Sequence, residues 1–175
     1  AILGDGWYAG NIAHVGQYQY GSYPLWLFLQ LEVEYKDGSR EFFISDESWK
    51  ASTGPILFSD LLMGELYDAR KEPKDWSDPD FDDASWISVK AVSKPNFPIG
   101  KLVAQVGPPI RETEELAPVE IIQYKPGIYI FDMGQNMVGR VSLKVSGPSG
   151  TKITLRFGEM LNDDGSLYTE NLRTA

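Results

Sequence analysis

Apolar and polar residues alternate most regularly between Leu25 and Ile44, and that stretch sets the expectation for the whole chain. Leu25, Leu27, Leu29, Leu31, Val33 and Tyr35 fall on one side of a period-two pattern, with Trp26, Phe28, Gln30, Glu32 and Glu34 on the other. This is the pattern of a strand whose two faces meet different surroundings. Lys36-Asp37-Gly38-Ser39 comes next, and Asp-Gly supplies the positive φ that a two-residue loop requires. With Glu41–Ile44 as the return strand, residues 25–44 are predicted to form an antiparallel hairpin. The same alternation recurs later: Val119–Tyr124, a turn at Lys125-Pro126-Gly127, then Ile128–Phe131. Val141, Leu143 and Val145 alternate with Ser142, Lys144 and Ser146, and Ile153, Leu155 and Phe157 repeat the pattern after the turn Gly147-Pro148-Ser149-Gly150. Another turn is expected at Asp164-Gly165. No stretch carries a helical period beyond about two turns, against a usual three. The predicted fold class is all-β, made of antiparallel β-sandwich pieces with little helix.

The remaining segments are less regular. Ala1–Gly10 reads as a strand entering a loop, and residues 11–24 as a polar loop carrying Tyr18, Tyr20 and Tyr23. Ser45–Trp86 is expected to be irregular, with Glu65 and Asp68 near Arg70 as an ion pair. Asp82 or Asp83 is expected to cap one helical turn ahead of Trp86. The connector Lys94-Pro95-Asn96-Phe97-Pro98 marks the predicted boundary between residues 1–97 and 98–175. The second part opens with an apolar stretch, Leu102–Val106. Both ends are expected to fall inside domains, which would leave strand edges open to pairing between copies as a homo-oligomer.

One stretch is more specialised than a turn requires. In Phe131–Arg140, Asp132, Gly134, Gln135, Asn136 and Gly139 stand between two apolar runs. The glycines permit backbone conformations with positive φ, and the three polar side chains can bond main-chain groups that a tight corner leaves unpaired. These five residues are an architectural signature.

Charge and composition narrow the function. The formal net charge of −9 argues against a nucleic-acid partner, because phosphate backbones are held by Lys and Arg. No apolar run approaches the roughly 20 residues of a membrane-spanning helix, so no membrane partner is expected. With no cysteine, disulfides and thiolate chemistry are excluded. His14 is the only histidine, so multi-histidine zinc sites have no basis. An inverting glycosidase needs two carboxyl groups roughly 6.5–9.5 Å apart, one with a raised pKa. Glu32 and Glu34 meet the spacing on a strand, yet nothing in the sequence suggests the desolvation that raises a pKa. Glu159, after Gly158 at a strand end, is the least ordinary of the other acids. No catalytic residue is assigned to this chain. Asp78, Asp80, Asp82 and Asp83 invite calcium, but they depart from the EF-hand pattern at its sixth and twelfth positions, Asp83 and Val89. The expected cofactor is none, with calcium the one metal left open.

Taken together, GDGWYAG near the start, SDESWK, GELYDAR, the FDDASW block, FDMGQNMVGR and GEMLNDDGSLYTENLRTA resemble the bacterial α-L-rhamnosidases in order and spacing across essentially the whole chain. The resemblance implies that residues 1–97 are the C-terminal part of an N-terminal jelly-roll domain. It implies that residues 98–175 begin the concanavalin-like β-sandwich that follows. Members of that family release terminal α-L-rhamnose with inversion, using carboxylates in a helical barrel that has no counterpart here. The resemblance therefore implies a parent enzyme acting on a rhamnose-containing glycan, with the catalytic domain of the same chain as this segment's partner. It also implies an accessory, non-catalytic role for the segment itself. Some sugar-binding modules of the family hold rhamnose through calcium, so a carbohydrate-binding module is the alternative. Trp7 and Tyr8, next to the tyrosine-rich loop, are the candidate platform, since aromatic faces stack on pyranose rings. The competing role for Trp7 is core packing, where burying a large side chain contributes about 1.5–3 kcal/mol.

Overall fold

The computed structural model describes residues 1–92, 103 and 106–172. The expected connector Lys94–Pro98 lies outside the described residues, as does most of Leu102–Val106. The chain divides into two units, Ala1–Ile99 and Gly100–Arg173. Among the described residues the architecture is all-β, with one helical turn, α1 (Gly6–Ala9), and a single 3-10 turn at Ala69–Lys71.

In the first unit, β1 (Gln30–Glu34) pairs antiparallel with β2 (Arg40–Ile44), in the register Gln30↔Ile44 to Glu34↔Arg40. The expected hairpin is therefore present, with two changes. Its loop is one residue longer than the two-residue turn expected: Tyr35 N–H donates to the Ser39 carbonyl and Gly38 N–H to the Tyr35 carbonyl. Gly38 takes the positive φ (+83°) that closes such a loop. Asp37 accepts from both the Ser39 amide and hydroxyl, at 2.9 and 2.6 Å. The first strand is also shorter than the alternation suggested. At Leu29 the ladder ends as the Ser45 side chain accepts the Leu29 amide at 3.0 Å, and residues 25–29 lie outside the β1–β2 register.

The segment expected to be irregular holds two further pairings. β3 (Lys50–Ala51) pairs with β6 (Ile87–Ser88), and β4 (Ile56–Asp60) with β5 (Gly64–Tyr67). The β4–β5 turn is Leu61-Leu62-Met63, apolar at its tip, with the turn chemistry supplied by the flanking Asp60 and by Gly64 at φ +88°. Ahead of Trp86 the chain makes a turn rather than a helical turn. Asp82 accepts the Ala84 amide at 3.0 Å, and Trp86 N–H reaches the Asp83 carbonyl at 2.9 Å. The Trp86 ring meets Phe81 edge-on at 5.4 Å.

In the second unit, β7 (Glu120–Lys125) and β8 (Ile128–Asp132) form the expected hairpin around Pro126-Gly127, with Gly127 at φ +78°. The Asp164-Gly165 turn is also present: Asn162 N–H bonds Ser166, Gly165 N–H bonds Asn162, and Gly165 has φ +81°. The strands expected over 141–146 and 153–157 form no ladder with the described residues. Their alternation is real, but a strand also needs a partner for its backbone groups.

Little of this surface is covered. Among the described residues only Ala9, Gly10 and Asp60 are buried. The accessible area is 15658 Å² for a mass of 19.6 kDa, whereas two compact domains of half that mass would together expose about 10,300 Å². Phe42, Phe43 and Ile44 on β2, and Ile121, Ile128, Tyr129 and Phe131 on β7 and β8, are exposed. Among the described residues, no helix is long and apolar enough to cross a membrane.

Candidate functional site

The expected strand over Ala1–Gly10 is replaced by α1, and the local chemistry explains why. Gly6 adopts φ +50°, a conformation a β-strand does not use, and the chain then coils so that Ala9 N–H bonds the Asp5 carbonyl at 3.0 Å. Asp5 does not cap this turn with its side chain. Its carboxylate accepts the Tyr23 hydroxyl at 2.7 Å instead, and that bond raises the Tyr23 phenol to about 12. Tyr23 packs edge-on against Tyr18 at 6.2 Å, while Tyr18 N–H reaches the Ala9 carbonyl. Tyr8 lies directly over Gly21, where a Cβ would sit 2.1 Å from its ring. The helical turn and the tyrosine-rich loop therefore form one cluster. Trp7 is not in a core: it is 51% exposed. Tyr20 is also exposed, and Tyr8 is half-buried. An exposed indole beside several phenols is the arrangement on which a pyranose ring can stack.

Several of the acids singled out in the sequence are occupied by neighbours. Arg40 bridges Glu32 at 2.8 Å and Glu34 at 2.9 Å across the hairpin. Asp68 forms a bidentate pair with Arg70, both contacts 2.8 Å, and its carboxyl is held down at about 2, first by that side-chain bond. Glu65 stands opposite Ser59 in the β4–β5 ladder and takes no part in that pair. Lys50 holds Asp83 at 2.6 Å. Among the described residues, no three His, Cys, Asp or Glu side chains gather where they could hold a metal ion. Glu159 is exposed and stands outside the open hollow of about 390 Å³ lined by Met160, Leu161, Asn162, Asp163 and Tyr168. That lining carries a single carboxylate, Asp163.

In the signature, Asp132 and Gly134 build a corner. The Asp132 carboxylate accepts the Gly134 amide at 2.7 Å, its carbonyl accepts Val119 N–H at 2.8 Å, and Gly134 has φ +74°. Gln135 and Asn136 are exposed, and Gly139 has open space around it. Arg140, just beyond, pairs with Glu112.

One residue of evident importance was missed in the sequence. Asp60 is the buried polar side chain of the described structure, 7% exposed. It accepts from the Asn11 amide (2.7 Å), Asn11 Nδ2 (2.9 Å), and the Leu62 and Met63 amides (2.8 and 3.0 Å). Burial pushes its carboxyl up, but the four donors outweigh it and hold the pKa at about 2. The sequence signal is Asp60 and Gly64 bracketing a three-residue turn.

Residues 1–114 match the alpha-L-rhamnosidase N-terminal domain family, and residues 122–175 the bacterial alpha-L-rhamnosidase concanavalin-like domain family. The chain belongs to the bacterial α-L-rhamnosidase family. An α-L-rhamnosidase of Streptomyces avermitilis is 49% identical over 175 residues, and one of an Alteromonas species is 38% identical over 176. Each match takes in 100% of this chain but only 17% and 19% of those relatives' lengths. Among solved structures, the Streptomyces avermitilis α-L-rhamnosidase complexed with L-rhamnose superposes with a TM-score of 0.83 at 46% identity. It covers 97% of this chain and 16% of its own. The native Aspergillus terreus enzyme gives a TM-score of 0.78 at 35% identity, over 95% of this chain and 19% of its own. The rhamnosidase resemblance carried by the sequence blocks is thereby established.

Proposed function

We propose that this chain is an accessory, non-catalytic β-segment of an α-L-rhamnosidase that releases terminal α-L-rhamnose from a glycan. In this proposal residues 1–97 close a jelly-roll domain and residues 98–175 open the concanavalin-like sandwich. Bond cleavage belongs to the catalytic domain of the same polypeptide. The observation that carries it is the state of the acids. Glu32, Glu34, Asp68 and Asp83 each have a cation at hydrogen-bond distance, so these carboxylates are engaged with neighbours rather than set as a facing pair about a glycosidic bond. The exposed apolar strands support the same view, since hairpins of this kind need a covering surface to be stable in water. The purified 175-residue segment is expected to leave an aryl α-L-rhamnoside intact. Turnover that survives repurification overturns the proposal.

A second reading is favoured by one specific observation, the exposure of Trp7 beside the tyrosine cluster. In it the segment also contacts rhamnose through Trp7 and Tyr8. Titration of the full-length polypeptide with L-rhamnose, with and without calcium, tests it. A binding component lost in Trp7→Ala is expected, and an isotherm identical to that of the unaltered protein counts against it.

A further inference from the structure

Asp60 lies in β4, far along the sequence from Trp7, yet it is hydrogen-bonded to Asn11, just past the helical turn that carries Trp7. Its Oδ2 takes both donors of Asn11, the residue after Gly10 at the end of α1, and its Oδ1 takes the two amides of the β4–β5 turn. Asn11 and Asp60 are 49 residues apart in the chain. The fit is close at this junction. A Cβ on Gly10 would lie 2.9 Å from Asp60 Oδ2 and 2.4 Å from the Gly6 carbonyl, and Ala9 is fully buried beside it. On its other side α1 is held by Tyr23 on Asp5 and by Tyr18 on Ala9. Only an ionised carboxylate can accept at both oxygens from these four donors. An amide in its place would point N–H groups at N–H groups on one side or the other.

We propose that Asp60 is a positioning residue for Trp7: by clamping Asn11 to the β4–β5 turn it sets the stance of the exposed indole and so governs sugar affinity without touching the sugar. This rests on the second reading above, in which Trp7 contacts rhamnose. The carboxylate's four-donor environment ensures that it stays charged across the neutral range, so the clamp is constitutive rather than switched.

The test uses the full-length polypeptide and L-rhamnose as probe. Four variants are compared by calorimetric titration, by kcat on a small aryl rhamnoside, and by amide exchange of residues 5–12: Trp7→Ala, Asp60→Asn, Asn11→Ala and the double variant Trp7→Ala/Asp60→Asn. Asp60→Asn is expected to weaken the Trp7-dependent binding component about tenfold, to raise exchange over residues 5–12, and to leave kcat within twofold. The double variant is expected to bind no more weakly than Trp7→Ala alone, because the two act through one contact. Should Asp60→Asn fail to fold, Asn11→Ala removes one of the four bonds and is expected to weaken the same component two- to threefold. A loss in Trp7→Ala with unchanged binding in both Asp60→Asn and Asn11→Ala overturns the role of Asp60 alone. Unchanged binding in Trp7→Ala overturns the sugar-contact reading and this role with it. An equal fall in kcat and in every binding component marks a purely structural residue and also overturns the proposal.

Discussion

Side chains in this chain are placed by a small number of demanding contacts, and two of them yield direct predictions. Gly21 lies under the Tyr8 ring, where a Cβ would approach to 2.1 Å. Gly21→Ala is expected to destabilise the N-terminal cluster by about 1–3 kcal/mol, read as a loss of protection in residues 5–23; unchanged protection would show that the ring does not rest there. Asp60 gives the pH prediction. Its folded pKa is about 2 against an ordinary 3.8. A depressed carboxyl contributes stability that is complete above the unfolded value and lost as pH falls through the folded one. Protection of residues 5–12, corrected for intrinsic exchange, is therefore expected to fall between about pH 4 and pH 2. Asp60→Asn is expected to lack that step, and a wild-type profile flat to pH 2 would contradict the clamp. Neither residue stood out in the sequence, because burial and cross-chain donors are properties of the fold. The polar and charged residues that did stand out, Glu32, Glu34 and the aspartates of 78–83, are on the surface.

Hairpins were legible where their turns were. Asp37-Gly38 and Pro126-Gly127 announce positive φ at a fixed place, and both loops appear, one a residue longer than expected. The β4–β5 hairpin was not read, because its tip Leu61-Leu62-Met63 is apolar and its turn residues flank it, Asp60 accepting the Leu62 and Met63 amides and Gly64 taking φ +88°. Conversely, the alternation over 141–146 and 153–157 promised strands that form no ladder with the described residues, since period two reports two faces and not a neighbour. The β1–β2 hairpin carries a prediction of its own. Arg40 and its two glutamates are more than a third exposed, and such pairs contribute about 0–1 kcal/mol each. Arg40→Met is accordingly expected to change stability by about 1 kcal/mol or less in denaturant unfolding and to leave rhamnosidase activity untouched. A loss of several kcal/mol would mean that the hairpin face is buried against something in the complete protein.

Across the molecule, the dominant fact is apolar area without cover. The chain takes in 17% and 19% of the length of two curated relatives, and under the proposed accessory role this apolar area is covered by other parts of the same polypeptide. The isolated 175-residue segment is therefore expected to bind a hydrophobic dye and to melt without a cooperative transition; a sharp two-state melt of a monodisperse monomer would contradict this. The central claim, that these residues shape and brace while cleavage occurs elsewhere, has a more direct test in the full-length polypeptide. Replacing Glu32, Glu34 and Glu159 by glutamine, singly and together, is predicted to leave kcat on an aryl α-L-rhamnoside within about threefold. A fall of about 10²-fold or more, the size expected for loss of a general acid or base, with the fold intact, would place the chemistry in this segment and contradict the account.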